Sequence, residues 1–185
     1  EAMEEGQVTH DGESRPLPQP FFVIATQNPI DQRSTHPLPE AQLDRFLMRL
    51  AIGYPDAAAE LSLLKGEDRR ACLRRLRPRL SAAELATARA KARALFVAEP
   101  VLTYVRALAE FTRNGAGLAY GLSPRGALAL LAAARAWALL AGRDHVLPDD
   151  VQAVFPHVVP HRLGFPATRE AAARAREWLA AVALP

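Results

Sequence analysis

Apolar residues along this chain fall into two kinds of pattern. Near the start they form short continuous runs. Phe21-Phe22-Val23-Ile24-Ala25 is apolar on both faces and stops abruptly at Thr26-Gln27-Asn28-Pro29. Phe46-Leu47-Met48-Arg49-Leu50-Ala51-Ile52 is a second run, with Arg49 its one charge. Runs of this length and bounding predict buried strands, and strands apolar on both faces suit a parallel sheet covered by helices. Beyond Gly53-Tyr54-Pro55-Asp56, read as a turn, the spacing becomes helical. Asp56 is placed to cap a helix over 57–65 that Gly66 closes. Ser81-Ala82-Ala83-Glu84 is a capping-box pattern opening a helix to about Leu95. Pro100 opens another, with Leu102, Val105, Leu108, Ala109 and Thr112 near helical spacing and an end at Asn114-Gly115. Ser123 and Pro124 suit the cap and first position of a helix that is apolar nearly all round, and so predicted as the core of its subdomain. Val151, Val154, Phe155 and Val158 make an i, i+3, i+4, i+7 stripe that Pro156 is expected to bend or break. A last Ala/Arg/Glu helix covers 169–182.

The segment before the first run is patterned differently. Residues 1–5 read as a last helical turn closed by Gly6. Val8-Thr9-His10 and Glu13-Ser14-Arg15 flank Asp11-Gly12, a favoured pair for a two-residue type I′ hairpin turn. Pro16, Pro18 and Pro20 make an extended connector.

Composition bounds the possibilities. The 185 residues suffice for one ordinary domain or two small ones, and half are apolar, so a sizeable core is possible. A net charge of +3 and a pI of about 9.5 are mildly basic, with the charge spread through Arg–Glu mixtures. Such a balance permits nucleic-acid binding without demanding it. The arginines between 69 and 79 have no interleaved aromatic residues for base stacking, which favours a solvated linker or short helix face. The single cysteine, Cys72, cannot form an internal disulfide, and no secretory segment opens the chain; a reducing cytoplasm is expected. Residues 126–142 are too short and, with Arg135, too polar for a membrane span. Glu1-Ala2-Met3-Glu4-Glu5 lacks an initiator Met, which suggests a fragment starting mid-domain.

Three positions carry candidate chemistry. Asn28 lies at the carboxyl end of the first predicted strand, where ligands sit in open α/β sheets. A helix starting at Pro39 carries Asp44-Arg45 towards its far end. Arg125 falls in the first turn of the Ser123-capped helix, where the dipole favours anions; an arginine there is sensible if helix end and guanidinium face one phosphate. His36 reads as a surface loop residue. His157 and His161 have a metal-like spacing, but Pro156 and Pro160 interrupt it and no carboxylate joins them.

The string Asn28-Pro29, then Leu38-Pro39-Glu40-Ala41-Gln42-Leu43-Asp44-Arg45-Phe46, closely resembles the MoxR-type AAA+ ATPases, relatives of the magnesium chelatase ATPase subunit. The resemblance covers nearly all of the chain; it is strong over 1–55 and 121–151 and weak between. It implies that Asn28 is the sensor 1 residue, orienting the attacking water or the γ-phosphate. Arg45 is then the arginine finger reaching the neighbouring subunit's nucleotide, and Arg125 is sensor 2. It implies a hexameric ring that hydrolyses ATP with Mg²⁺ and remodels or matures a client protein or a von Willebrand A-type partner; the hairpin either projects towards the pore of that ring or is an exposed hairpin of no special role. Relatives usually carry an acidic residue, a glycine and a tyrosine where this chain has Arg33-Ser34 and His36, and a Thr or Ser cap where it has Leu147.

No G-x-x-x-x-G-K-[ST] phosphate loop is present, nor a strand ending in the acidic pair that would hold Mg²⁺. The expected fold is therefore mainly α. Residues 1–55 would be the hairpin, last strands and arginine-finger helix of an α/β P-loop core; residues 56–185 would be the helical lid with sensor 2. Alone, the fragment is expected to be inactive. Two other classes stay open: a catalytically inactive AAA+-like scaffold, and a basic helical nucleic-acid binder.

Overall fold

A computed structural model of the chain describes residues 1–27, 38–66, 69–166 and 168–185. The fold is mainly helical. A hairpin of β1 (Gln7–His10) and β2 (Glu13–Pro16) opens it. The strands are antiparallel, with His10 opposite Glu13, and both turn residues have positive φ, 51° at Asp11 and 80° at Gly12. That is the backbone a type I′ turn requires. Ahead of the hairpin, Glu5 N–H donates to the Glu1 carbonyl at 2.8 Å, and Gly6 is left-handed, so the predicted closing turn is present.

Neither predicted strand forms. Residues 21–27 and 46–52 have no ladder partner among the described residues, and much of their apolar surface is open: Ile24 is 77% and Ile52 97% exposed. A strand is made by pairing, and an apolar run supplies only half of the pair. The helix expected from Pro39 is also shorter. The segment α1 covers Glu40–Leu43 alone. Arg45 N–H and Phe46 N–H then donate to the carbonyls three residues back, both at 3.1 Å, so Asp44 and Arg45 lie in tightened turns just past the helix.

The helices with local end signals lie where the sequence predicts. Asp56 Oδ1 accepts from Ala59 N–H at 2.8 Å and starts α2 (Ala57–Leu64). A short α3 spans Arg69–Arg75. Ser81 and Glu84 close a reciprocal capping box on α4 (Ala82–Ala94), with bonds of 3.2 and 2.8 Å. Next come α5 (Glu99–Asn114), α6 (Pro124–Leu140), α7 (Pro148–Val158), a 3-10 turn over Pro160–Leu163, and α8 (Arg169–Ala181), capped by Thr168.

Among the described residues the core lies within 95–182 and joins α5, α6, α7 and α8. Tyr104, Phe155, Leu108, Leu122 and Leu130 are its largest fully buried members, and Phe165 meets Trp178 edge-on at 5.4 Å. The whole Val151 stripe is buried, as its spacing predicts. Two expectations change. Pro156 does not break α7, which runs on to Val158; the missing N–H costs one helix bond near an end that Pro160 terminates anyway. And α6 is not buried all round. Its inward face is small (Gly126, Ala133, Ala134 and Ala138, with Leu130), whereas Leu128, Trp137 and Leu140 are exposed. Leu147 lacks an acceptor for the usual cap, so Asp150 alone secures the start of α7, accepting from Leu147 N–H at 2.8 Å and from Arg143.

Candidate functional site

The site grows out of the loop between α5 and α6. Two consecutive residues at the end of α5 grip both backbone groups of one residue: Thr112 Oγ1 accepts from Leu122 N–H at 2.9 Å, and Arg113 donates to the Leu122 carbonyl from Nε (2.9 Å) and Nη2 (2.8 Å). Gly121 allows the approach, because a Cβ there would stand 2.4 Å from the Arg113 Cα. Thus held, the loop delivers Ser123, whose Oγ accepts from Gly126 N–H at 2.9 Å and caps α6. Pro124 takes the first helical position, and Arg125 projects from the first turn, half exposed.

Arg45 approaches the same place from the turn after α1. Both guanidiniums end on Glu4: Arg45 Nη1 on one carboxylate oxygen and Arg125 Nη2 on the other. The structure therefore joins two of the three sequence-derived site residues through one shared anion. The third, Asn28, lies outside the described residues, as does His36. These ion pairs are at least one-third exposed, a setting in which each contributes about 0–1 kcal/mol. A more highly charged anion could thus replace the carboxylate at small cost.

Behind the arginines is a buried cluster. The Asp44 carboxylate accepts from Ser123 Oγ and from Arg162 Nε. The Arg162 side chain is 2% exposed; burial lowers its proton affinity, and the Asp44 charge opposes that effect. His161 Nε2 faces the Phe46 carbonyl at 3.2 Å, and its Nδ1 has no partner among the described residues. Burial, reinforced by the adjacent Arg162 charge, pushes the imidazole down to about 4. It is neutral at physiological pH, and no group of three or more His, Cys, Asp or Glu among the described residues could hold a metal. Arg49, the odd charge of the second apolar run, donates its N–H to the His157 carbonyl at 2.8 Å and its guanidinium to the Phe165 carbonyl. Sequence reasoning missed Glu4 and Arg162. A lone arginine in the otherwise apolar stretch around Val158-Val159 was the available signal for the second.

Phosphate oxygens fit the arginine pair, since it already shares a carboxylate. Among the described residues no group of three or more His, Cys, Asp or Glu is gathered that would hold Mg²⁺ without a nucleotide.

A family model for the "ATPase family associated with various cellular activities (AAA)" matches residues 1–48, and one for the AAA lid domain matches residues 110–179. Fold and motifs thus define an AAA+ chain with its lid. Among its relatives, the uncharacterized protein YeaC of Bacillus subtilis is 42% identical over 163 residues, covering 88% of this chain and 51% of the relative. Chaperone MoxR1 of Mycobacterium tuberculosis is 38% identical over 172 residues, covering 88% and 45%. A crystal structure of a candidate ATPase from Cytophaga hutchinsonii superposes with a TM-score of 0.83 at 31% identity, over all of this chain and 60% of that one. The chain belongs with the MoxR-type AAA+ ATPases, and it spans about half the length of the curated relatives it matches.

Proposed function

We propose that this chain is the C-terminal part of a ring-forming MoxR-like ATPase, in which Arg45 and Arg125 bind the phosphates of ATP. The observation that carries the reading is the convergence of both guanidiniums on the Glu4 carboxylate. Two cations on different elements do not gather without an anion between them, and a polyphosphate carries more charge than a carboxylate.

In this reading Arg45 acts as the arginine finger across a subunit interface, Arg125 as sensor 2, and Asn28 as sensor 1. Phosphoryl transfer depends on positioning and charge stabilisation more than on covalent help from the protein. The guanidiniums neutralise charge developing on the phosphate oxygens, while the amide of Asn28 orients the attacking water. Mg²⁺ would be held mainly by parts of the whole protein outside this chain and would supply further neutralisation of phosphate charge. Residues 1–55 belong to the α/β core and 56–185 to the lid. Assembly as a hexameric ring, a cytoplasmic location, and a chaperone-like role towards a protein client or a von Willebrand A-type partner follow from the family. Among the described residues no helix is long and apolar enough to cross a membrane.

The test is ATP turnover by the whole protein. Arg45→Ala is expected to lower kcat by on the order of 10³ or more while largely sparing nucleotide binding. Equal turnover by variant and wild type would show the finger assignment to be wrong.

A further inference from the structure

One polar system at this site remains without a role. Asp44 directly precedes Arg45, and its carboxylate accepts from Ser123 Oγ at 3.0 and 3.2 Å. Ser123 caps α6 two residues before Arg125, so Asp44 touches the mountings of both arginines. It also accepts from Arg162 Nε at 3.1 Å. The other donors of Arg162 go mostly to backbone: Nη2 to the Phe46 carbonyl at 2.6 Å, and Nη1 to the Leu47 carbonyl at 3.1 Å and to the Val158 carbonyl, with His161 Nε2 also 3.1 Å from Nη1. One guanidinium thus grips the carboxylate on one side of Arg45 and the peptide groups on the other. Its stem passes over α6 at Gly126, where a Cβ would lie 3.0 Å from Arg162 Cδ and 2.4 Å from Leu122 Cδ1. Glycine keeps that passage open.

Elsewhere in the fold, buried charge is used sparingly. An ion taken out of water needs both a counter-ion and satisfied donors. Here these are spent on a segment with almost no secondary structure of its own. A cation that stabilises a transition state must be placed to within a fraction of an ångström, and the four-residue α1 cannot do that alone.

We propose that Arg162, acting through Asp44, is a positioning residue that sets Arg45 and Arg125 in one mutual geometry, so that the 3-10 turn of the lid and the arginine pair move as a unit. The inference rests on the reading of these arginines as the phosphate-facing pair.

The experiment uses the whole protein and three variants: Asp44→Asn, Arg162→Lys and Arg45→Ala. Asp44→Asn keeps the shape and an acceptor for Ser123 but removes the charge; Arg162→Lys keeps the charge but loses the fork. Each is expected to lower kcat for ATP by about ten-fold or more, with the Kd for a fluorescent ATP analogue changed less than about two-fold. Asp44→Asn is expected to lower the melting temperature, because it leaves a buried arginine without its counter-ion, so turnover is read well below the melting temperature of each variant. Wild-type kcat in both positioning variants, beside an inactive Arg45→Ala, overturns the positioning role and leaves the arginine finger standing. Activity lost only in proportion to the unfolded fraction overturns it equally, because that is the signature of a structural bond. Wild-type turnover by Arg45→Ala removes the underlying reading, and the positioning role with it.

Discussion

Replacing Thr112 by valine should loosen the mount on which the candidate site stands. Thr112 is fully buried, and its hydroxyl works in both directions, donating to the Ala109 carbonyl at 2.7 Å and accepting from Leu122 N–H at 2.9 Å. Valine reproduces the shape without the oxygen. The Ala109 carbonyl loses little, because its other lone pair serves the helix ladder. Leu122 loses more. That residue is 1% exposed, so its N–H would be stranded away from water. Leaving a buried donor unpaired costs about 1–3 kcal/mol. A loss of 2 kcal/mol in a chain of this size corresponds to a fall in Tm of roughly 4–8 °C. Thr112→Ser is the control: it keeps the oxygen and gives up one methyl group, about 0.8 kcal/mol of burial. Urea unfolding followed by circular dichroism reads both, with unchanged slope m and a lower midpoint expected for valine. A Thr112→Val midpoint at or above wild type, or equal damage from serine, would refute the reasoning.

Three further outcomes are expected. Gly121→Ala should destabilise by about 1–3 kcal/mol, since its Cβ would meet the Arg113 backbone rather than a side chain that can move; the same urea titration reads it. His161 takes up its proton near 4 in the fold and near 6.5 when unfolded, so between those values the unfolded chain binds more protons. Stability should therefore be complete above about pH 6.5, fall by up to about 3 kcal/mol as pH drops towards 4, and lose nothing more from this group below that. His161→Gln should flatten that slope in pH-dependent unfolding. Arg125→Ala should weaken binding of a fluorescent ATP analogue to the whole protein more than Arg45→Ala does, and the reverse order in a titration would exchange the two proposed roles.

What could be read from the sequence divides by distance along the chain. Asp56, Ser81 and Ser123 mark three helix starts correctly because each bonds a backbone N–H three residues on. The hairpin is legible for the same reason: Asp11-Gly12 carries its own turn geometry. Residues 21–27 and 46–52 were misread because an apolar run says nothing about whether a partner strand lies beside it. Within the site, Arg45 and Arg125 were legible through their motifs. Their meeting was not, because it depends on Glu4, 41 residues from one and 121 from the other. Arg162 was hidden likewise, since its partners lie more than 100 positions away.

The small inward face of α6 has a consequence for how this lid can change. Ala134 and Ala138 have no exposed surface, and α6 makes its most extensive contact with α7. Small side chains such as these let neighbouring helices pack closely on α6. Any larger side chain would have to wedge the helices apart, at about 1–3 kcal/mol for each overpacked position, and the displacement would travel along α7 to the turn bearing Arg162. Leu128, on the opposite face, meets no such limit, and neither do Trp137 and Leu140, which are exposed near the far end of the helix. Random substitution along this helix would therefore be filtered both by angle around its axis and by position along its length. The permitted half could drift towards new neighbours while the spacing beneath Arg125 stayed constant.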